Sequence, residues 1–201
     1  MIKAPYLPYD RLRAIAEEFL TKFHPTRVVP LPIESIVEFD FGIDIVPMPG
    51  LHRGFDIDSM ITNDLQEIRV EQSVFDSYPG RYRFSLAHEL GHRILHQEVF
   101  SQIKFKTISE WKALMEEGIS LKEYSFLETQ ANSFAGLILA PAAELRFSFG
   151  DAIKLAESQG LSLSMDSDTT RDAIAFYISK EYEVSAEVIR RRLDYDKLWE
   201  T

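Results

Sequence analysis

Apolar residues recur at helical intervals near the start of the chain. Leu12, Ile15, Ala16, Phe19, Leu20 and Phe23 share one face of a helix predicted over residues 9–23. A proline-marked link from Pro25 to Pro32 follows, then a second short helix over 33–41, stopped by Gly42. The texture then changes. Ile43–Met48 is a β-branched run, and residues 54–62 and 66–70 read as strands on either side of the turn Asn63-Asp64-Leu65. After Pro79-Gly80 the helical spacing returns. It predicts helices over 83–99, 109–117 and 123–139, the last stopping before Pro141. Further helices are predicted over 142–149, 151–158, 167–182 and 186–193, with Ser185 as the N-cap of the final one. No internal repeat interrupts this order. The pattern predicts an α+β fold: a small, mostly antiparallel sheet packed against a helical domain. Residues 1–201 are expected to form a single domain, with an N-terminal helix and linker (1–31), a core (32–141) and a helical C-terminal part (142–201).

Composition narrows the chemistry. The chain has no cysteine, so disulfides, thiolate metal sites and cysteine nucleophiles are excluded. Any metal must be held by nitrogen and oxygen. The formal net charge of -10 is unsuited to neutralising phosphates, so direct nucleic-acid binding is not expected. A basic protein partner fits the charge better. The N-terminus is amphipathic and carries acidic residues, unlike a signal peptide. No apolar run approaches the roughly 20 residues of a membrane span. These features predict a soluble, cytoplasmic protein without a membrane partner.

The chemistry concentrates in Ser85-Leu86-Ala87-His88-Glu89-Leu90-Gly91-His92-Arg93-Ile94-Leu95-His96. On an α-helix, positions i and i+4 lie about 40° apart on one face, so His88 and His92 can present two imidazoles to one ion. Glu89, at the rim of that face, is placed to reach a water on the metal rather than the metal itself. That is the arrangement for general-base activation of water. A random chain of this composition would show His-Glu-x-x-His roughly 0.01 times. The motif is also flanked by core-type residues, where histidines without a partner are costly.

A catalytic zinc usually takes three protein ligands. A third histidine ten residues after the first would fall at position 98, which is Glu98. The third ligand is therefore expected to be His96 or a carboxylate from elsewhere. His96 lies about 80° around the helix from His88 and roughly 12 Å along it, too far to share one tetrahedral ion; a supporting or packing role suits it better. Glu128 is the better candidate. It lies on the long apolar helix, where Ala131, Ala135 and Gly136 allow close helix approach. Asn132, one turn on, can accept a hydrogen bond from the far nitrogen of a ligand histidine.

At these residues the chain resembles the ImmA/IrrE family of metallo-endopeptidases. The resemblance rests on Arg83 through His96 and on Glu128-x-Gln130-Ala131-Asn132-x-Phe134-Ala135 through Pro141. Weaker similarity covers Pro32–Met48 and the tail from Tyr182 to Leu193. The resemblance implies a gluzincin-like site, with His88, His92 and Glu128 as zinc ligands, Glu89 as catalytic base and Zn2+ as cofactor. It also implies a protein substrate: a transcriptional regulator, often a helix-turn-helix repressor. One departure is the stretch Gln97–Leu127, longer than the family's usual connection.

Several expectations follow. The chain is read as a zinc endopeptidase that cuts a specific regulatory protein. The alternative is a metal-bearing module that sequesters a repressor without cutting it, against which the retained Glu89 argues. Tyr124, Arg93 and His96 are candidates for stabilising an oxyanion. The segment Ala175–Arg192 has helix-turn-helix form and an arginine triplet, but its first helix offers Glu181 and Glu183, and Asp194 and Asp196 follow its second, which favours a structural hairpin. Finally, Gln97–Leu127 must begin and end beside the cleft. Its Ile103, Phe105, Ile108, Trp111, Leu114 and Met115 are placed to cover it, and Gly118 to let the cover move.

Overall fold

The computed structural model describes residues 3–105, 107–114, 119–160, 164 and 167–200. Met115 and Gly118 lie outside them. Helix α1 (Tyr9–Phe23) buries Leu12, Ala16, Phe19 and Leu20, the apolar stripe read from the sequence. Helix α2 (Ile33–Ser35) runs on into a π-helical turn, Ile36–Asp40, and leads to strand β1 (Asp44–Met48).

The sheet departs from the predicted pattern in strand direction. Its order is β1-β3-β2, with β2 (Ser59–Ile61) at one edge and β3 (Glu67–Glu71) in the middle. The hairpin β2–β3 is antiparallel as expected, whereas β1 and β3 pair in parallel from Asp44↔Glu67 to Met48↔Glu71. The sheet is therefore mixed. The cause lies in a helical turn, α3 (Leu51–Phe55), which takes in the first two residues of the strand expected over 54–62. Gly50 (φ 92°) and Asp56 (φ 57°) take left-handed conformations at its two ends. Glu71, at the end of β3, fastens this crossover: its carboxylate accepts from the amides of His52 (2.9 Å) and Gly50 (3.4 Å). The His52 amide, with others of the turn, holds the buried Glu71 carboxyl below its ordinary pKa, against the opposing effect of burial.

The helices follow. A short α4 (Gln72–Ser77) precedes α5 (Pro79–Leu95). Pro79, read as a breaker, instead opens α5 from its first turn, where a missing N–H costs nothing. Helix α5 stops at His96, so the predicted helix over 83–99 is two: α5 and α6 (Gln97–Gln102). Then come α7 (Ile108–Ala113), α8 (Leu121–Leu139) and α9 (Ala142–Ser158). Gly150 does not divide α9, although two segments were predicted there. Helices α10 (Asp168–Tyr182) and α11 (Ala186–Tyr195) close the fold, the latter capped by Ser185, which accepts from the Val188 amide. The arginine triplet is engaged within the chain. Arg190 pairs with Asp168 and Asp172, Arg191 with Glu187, and the buried Arg192 with Asp196.

The crossing of α5 over α8 positions the site. Gly91 makes it possible: a Cβ there would meet the Ala131 Cα at 3.2 Å and its carbonyl oxygen at 3.3 Å. Backbone cannot step aside, so any larger residue forces the helices apart. Gly136, expected at the same crossing, faces the Arg192 side chain instead. Most buried apolar residues form one core uniting α1, the sheet, α5 and α8–α11. A second, smaller cluster comprises Met60, Val99, Ile103, Phe105, Ile119 and Leu127. No helix among the described residues is long and apolar enough to cross a membrane.

Candidate metal centre

The inner face of α5 carries His88 and His92 one turn apart, and α8 brings Glu128 against them. His88 Nε2 and His92 Nε2 are 3.0 Å apart. Glu128 Oε2 is 3.3 Å from His88 Nε2, and its Oε1 is 3.4 Å from His92 Nε2. A tetrahedral zinc with bonds of 2.0–2.1 Å sets neighbouring ligand atoms about 3.3 Å apart, so this triangle has the right size for one ion. It is also the one group of three or more metal-ligating side chains with that spacing among the described residues. Its nitrogen and carboxylate donors suit zinc, and other first-row ions as well.

Electrostatics point the same way. Burial disfavours the charged form of His88, but the hydrogen bond it donates to Glu128 and the charges of Glu89 and Glu128 outweigh it, and the pKa is pushed up to about 9. Glu128 shows the converse. Burial pushes its carboxyl up, yet His88 and His92 hold it far below the ordinary range. The triangle is built to hold positive charge at its centre.

The surrounding contacts orient the ligands. His88 Nδ1 lies 3.1 Å from Asn132 Oδ1, the contact expected of Asn132. His92 Nδ1 lies 2.9 Å from His96 Nδ1, and His96 Nε2 3.0 Å from Gln130 Oε1. His96 is thus no part of the triangle but stands behind it. Burial, then the neighbouring His92, pull its pKa down to about 3, so its ring is neutral.

Glu89 is 4% exposed, and β2 holds both of its oxygens. Ser59 Oγ donates to Oε1 at 2.6 Å and the Ile61 amide to Oε2 at 2.9 Å. Neither residue was singled out from the sequence, because thirty residues and a chain reversal separate them from the motif. The alternation around Ser59-Met60-Ile61 was the available signal. It places Ser59 and Ile61 on one side of an edge strand, with Met60 on the other. Ser59, Ile61 and Pro5, whose carbonyl accepts from Gln130 Nε2, are the additions that the structure makes to the neighbourhood of the motif.

The triangle opens into a cavity of about 70 Å³, room for more than one water. Beyond His88, Glu89, His92, Glu128 and β2, its lining is Ile57, Phe100, Ile103, Trp111, Tyr124 and Leu127. Tyr124, a candidate oxyanion donor, therefore faces the site. Burial and the charges of Glu128 and Glu89 raise its phenol pKa, so it keeps its proton. Arg93, another candidate, is not in the lining and binds Gln97 Oε1 instead.

Comparison with known proteins bears on the fold and the family. A solved structure of a Mycobacterium tuberculosis transcriptional regulator superposes with a TM-score of 0.55 over 92% of this chain, at 20% identity. The chain spans 58% of that protein's length, and the likeness is one of fold. No curated protein sequence matches the chain significantly. The family model for peptidase M78, described as the IrrE N-terminal-like domain, matches residues 41–194 and so takes in α5, α8 and everything between them. By that match, over a fold that crosses the His-Glu-x-x-His helix with the Glu128 helix, the chain belongs to the peptidase M78 family.

Proposed function

We propose that the protein is a zinc-dependent endopeptidase that cuts one or a few sites in a specific regulatory protein, a helix-turn-helix transcriptional repressor being the expected class. The observation that carries this reading is the pairing of the His88–His92–Glu128 triangle with a buried carboxylate, Glu89, at the edge of the same cavity. A purely structural ion has no use for a base there.

His88, His92 and Glu128 would hold the ion. When held there, zinc supplies Lewis-acid polarisation of a carbonyl and a lowered water pKa. The remaining work falls to the chain. Ser59 and the Ile61 amide fix the Glu89 carboxylate, which takes a proton from the attacking water and returns it to the leaving amine. Tyr124 keeps its phenolic proton and can donate to an oxyanion in the cavity. The apolar lining from Ile57 to Leu127 excludes bulk water and accepts an apolar side chain beside the cut bond.

The deciding experiment incubates the zinc-loaded protein, and its Glu89→Gln variant, with the regulator encoded beside it, reading products by intact mass. Wild type should cut at one or a few sites. Glu89→Gln should bind zinc normally and cut about 10²–10⁴-fold more slowly. A regulator that is bound by both proteins and left intact would instead establish a sequestering module.

A further inference from the structure

A line of hydrogen-bonded atoms runs from the N-terminal arm to the back of His92, and its far end fixes the role of every atom in it. The Pro5 carbonyl can only accept. The Gln130 side chain must therefore turn its Nε2 toward it, at 2.7 Å. That leaves Gln130 Oε1 facing His96 Nε2 at 3.0 Å, so His96 carries its hydrogen on Nε2. A neutral imidazole protonated there has its lone pair on Nδ1. His96 Nδ1 stands 2.9 Å from His92 Nδ1, so His92 donates through Nδ1–H. The lone pair of His92 is then left on Nε2, the atom that faces His88 and Glu128.

The opposite polarity fails. It needs a doubly protonated His96, which is 1% exposed and has no carboxylate among its hydrogen-bond partners. A buried charge without a partner is costly. Gln130 (4% exposed) and His92 (6%) are also shielded from water that could relax the constraint. The arm is held along the same helix by two further contacts. The Ala4 amide donates to Glu123 Oε2 at 2.5 Å, and the Tyr6 ring meets Phe126 edge-on with centroids 6.1 Å apart. Ala4, Pro5 and Tyr6 all precede the residues matched by the family model.

We propose that Gln130 and His96, anchored by the Pro5 carbonyl, are positioning residues that lock His92 in the tautomer able to give its Nε2 to a metal. The inference rests on the metal-site reading of His88, His92 and Glu128. It extends the site to a segment of the chain that the motif does not reach. Gln130→Leu keeps the volume and removes both polar contacts. His96→Asn can place its amide oxygen where Nδ1 stands and still accept from His92, whereas His96→Leu cannot.

The test measures zinc affinity of the full chain by competition with a chromogenic chelator, and histidine tautomers in the zinc-loaded wild type by 15N spectra of the imidazoles. Gln130→Leu and His96→Leu should bind zinc roughly 10–100-fold more weakly than wild type, with His96→Asn recovering a substantial part of the loss. The spectra should place the hydrogen of His96 on Nε2 and that of His92 on Nδ1. A hydrogen on His96 Nδ1, unchanged affinity in Gln130→Leu, or a His96→Asn no better than His96→Leu overturns the proposal. The spectra need no variant, so a substitution that fails to fold does not spare it. A wild type that binds no zinc at all is a separate result, which removes the metal reading itself.

Discussion

Two kinds of wall enclose the metal-site cavity. On one side α5, β2 and the middle of α8 stand on the main core, with Leu86, Leu90, Ile61 and Ala135 fully buried behind the ligands. On the other, Ile103, Trp111, Tyr124 and Leu127 belong to the small cluster around Met60, Val99, Phe105 and Ile119. Strand β2 is the seam, sending Ile61 into the first core and Met60 into the second. The first wall holds every atom that would touch a metal. The second holds none, yet it supplies most of the apolar lining. Metal ligation and access are thus carried by separate packing units, although the second also presents Tyr124 to the cavity.

Breaking the first wall should have the largest effect. His88→Ala or His92→Ala removes a corner of the triangle, and zinc retention through gel filtration should be lost altogether, with activity. Asn132→Ala leaves the corners and loosens one, so zinc affinity or activity should fall by roughly 10–100-fold. A full complement of tightly bound zinc in His92→Ala would show that the metal lies elsewhere.

The second wall should respond in the opposite sense. An intact enzyme that ignores casein is expected, because Trp111 and Ile103 line the cavity beside the triangle. Trp111→Ala, or shortening within residues 100–120, should raise casein hydrolysis severalfold while zinc content stays at the wild-type level, as expected when a cover over a preformed site is thinned. Rapid casein digestion by the wild type would remove the idea that this segment limits access.

What the sequence made legible follows the same division. His88, Glu89 and His92 were readable because their relation is local, set by one helical turn. Glu128 and Asn132 were readable because their own short block is distinctive, and the structure puts Asn132 against His88. Ser59, Ile61 and Pro5 were not, because each reaches the site through tertiary contacts spanning 28 to 125 residues. The α+β class was legible from periodicity, but the parallel β1–β3 pair was not. It depends on α3 and on Glu71, a side chain whose role as a fastener leaves no trace in the apolar pattern.

That fastener gives the smallest effect. Glu71→Ala should lower stability by about 1–3 kcal/mol, the range for losing hydrogen bonds to a charged acceptor, with zinc affinity unchanged. The pH dependence follows from its sign. The folded-state pKa of Glu71 is depressed, so its stabilisation is present above the unfolded value and lost as pH falls through the folded one. Wild type should therefore lose stability on acidification more steeply than Glu71→Gln, as read by thermal melts of metal-free protein. Parallel melting profiles would mean that the crossover is held by other contacts.

The central claim is that α5 and α8 together make one metal site with a separate base beside it. Zinc per chain, measured by elemental analysis of wild type, Glu89→Gln and Glu128→Ala dialysed against the same buffer, tests it most directly. One ion per chain is expected in the first two and a strongly reduced content in Glu128→Ala, since Glu128 is a corner of the triangle and Glu89 is not. Equal zinc in all three, or zinc lost from Glu89→Gln and kept by Glu128→Ala, would contradict it.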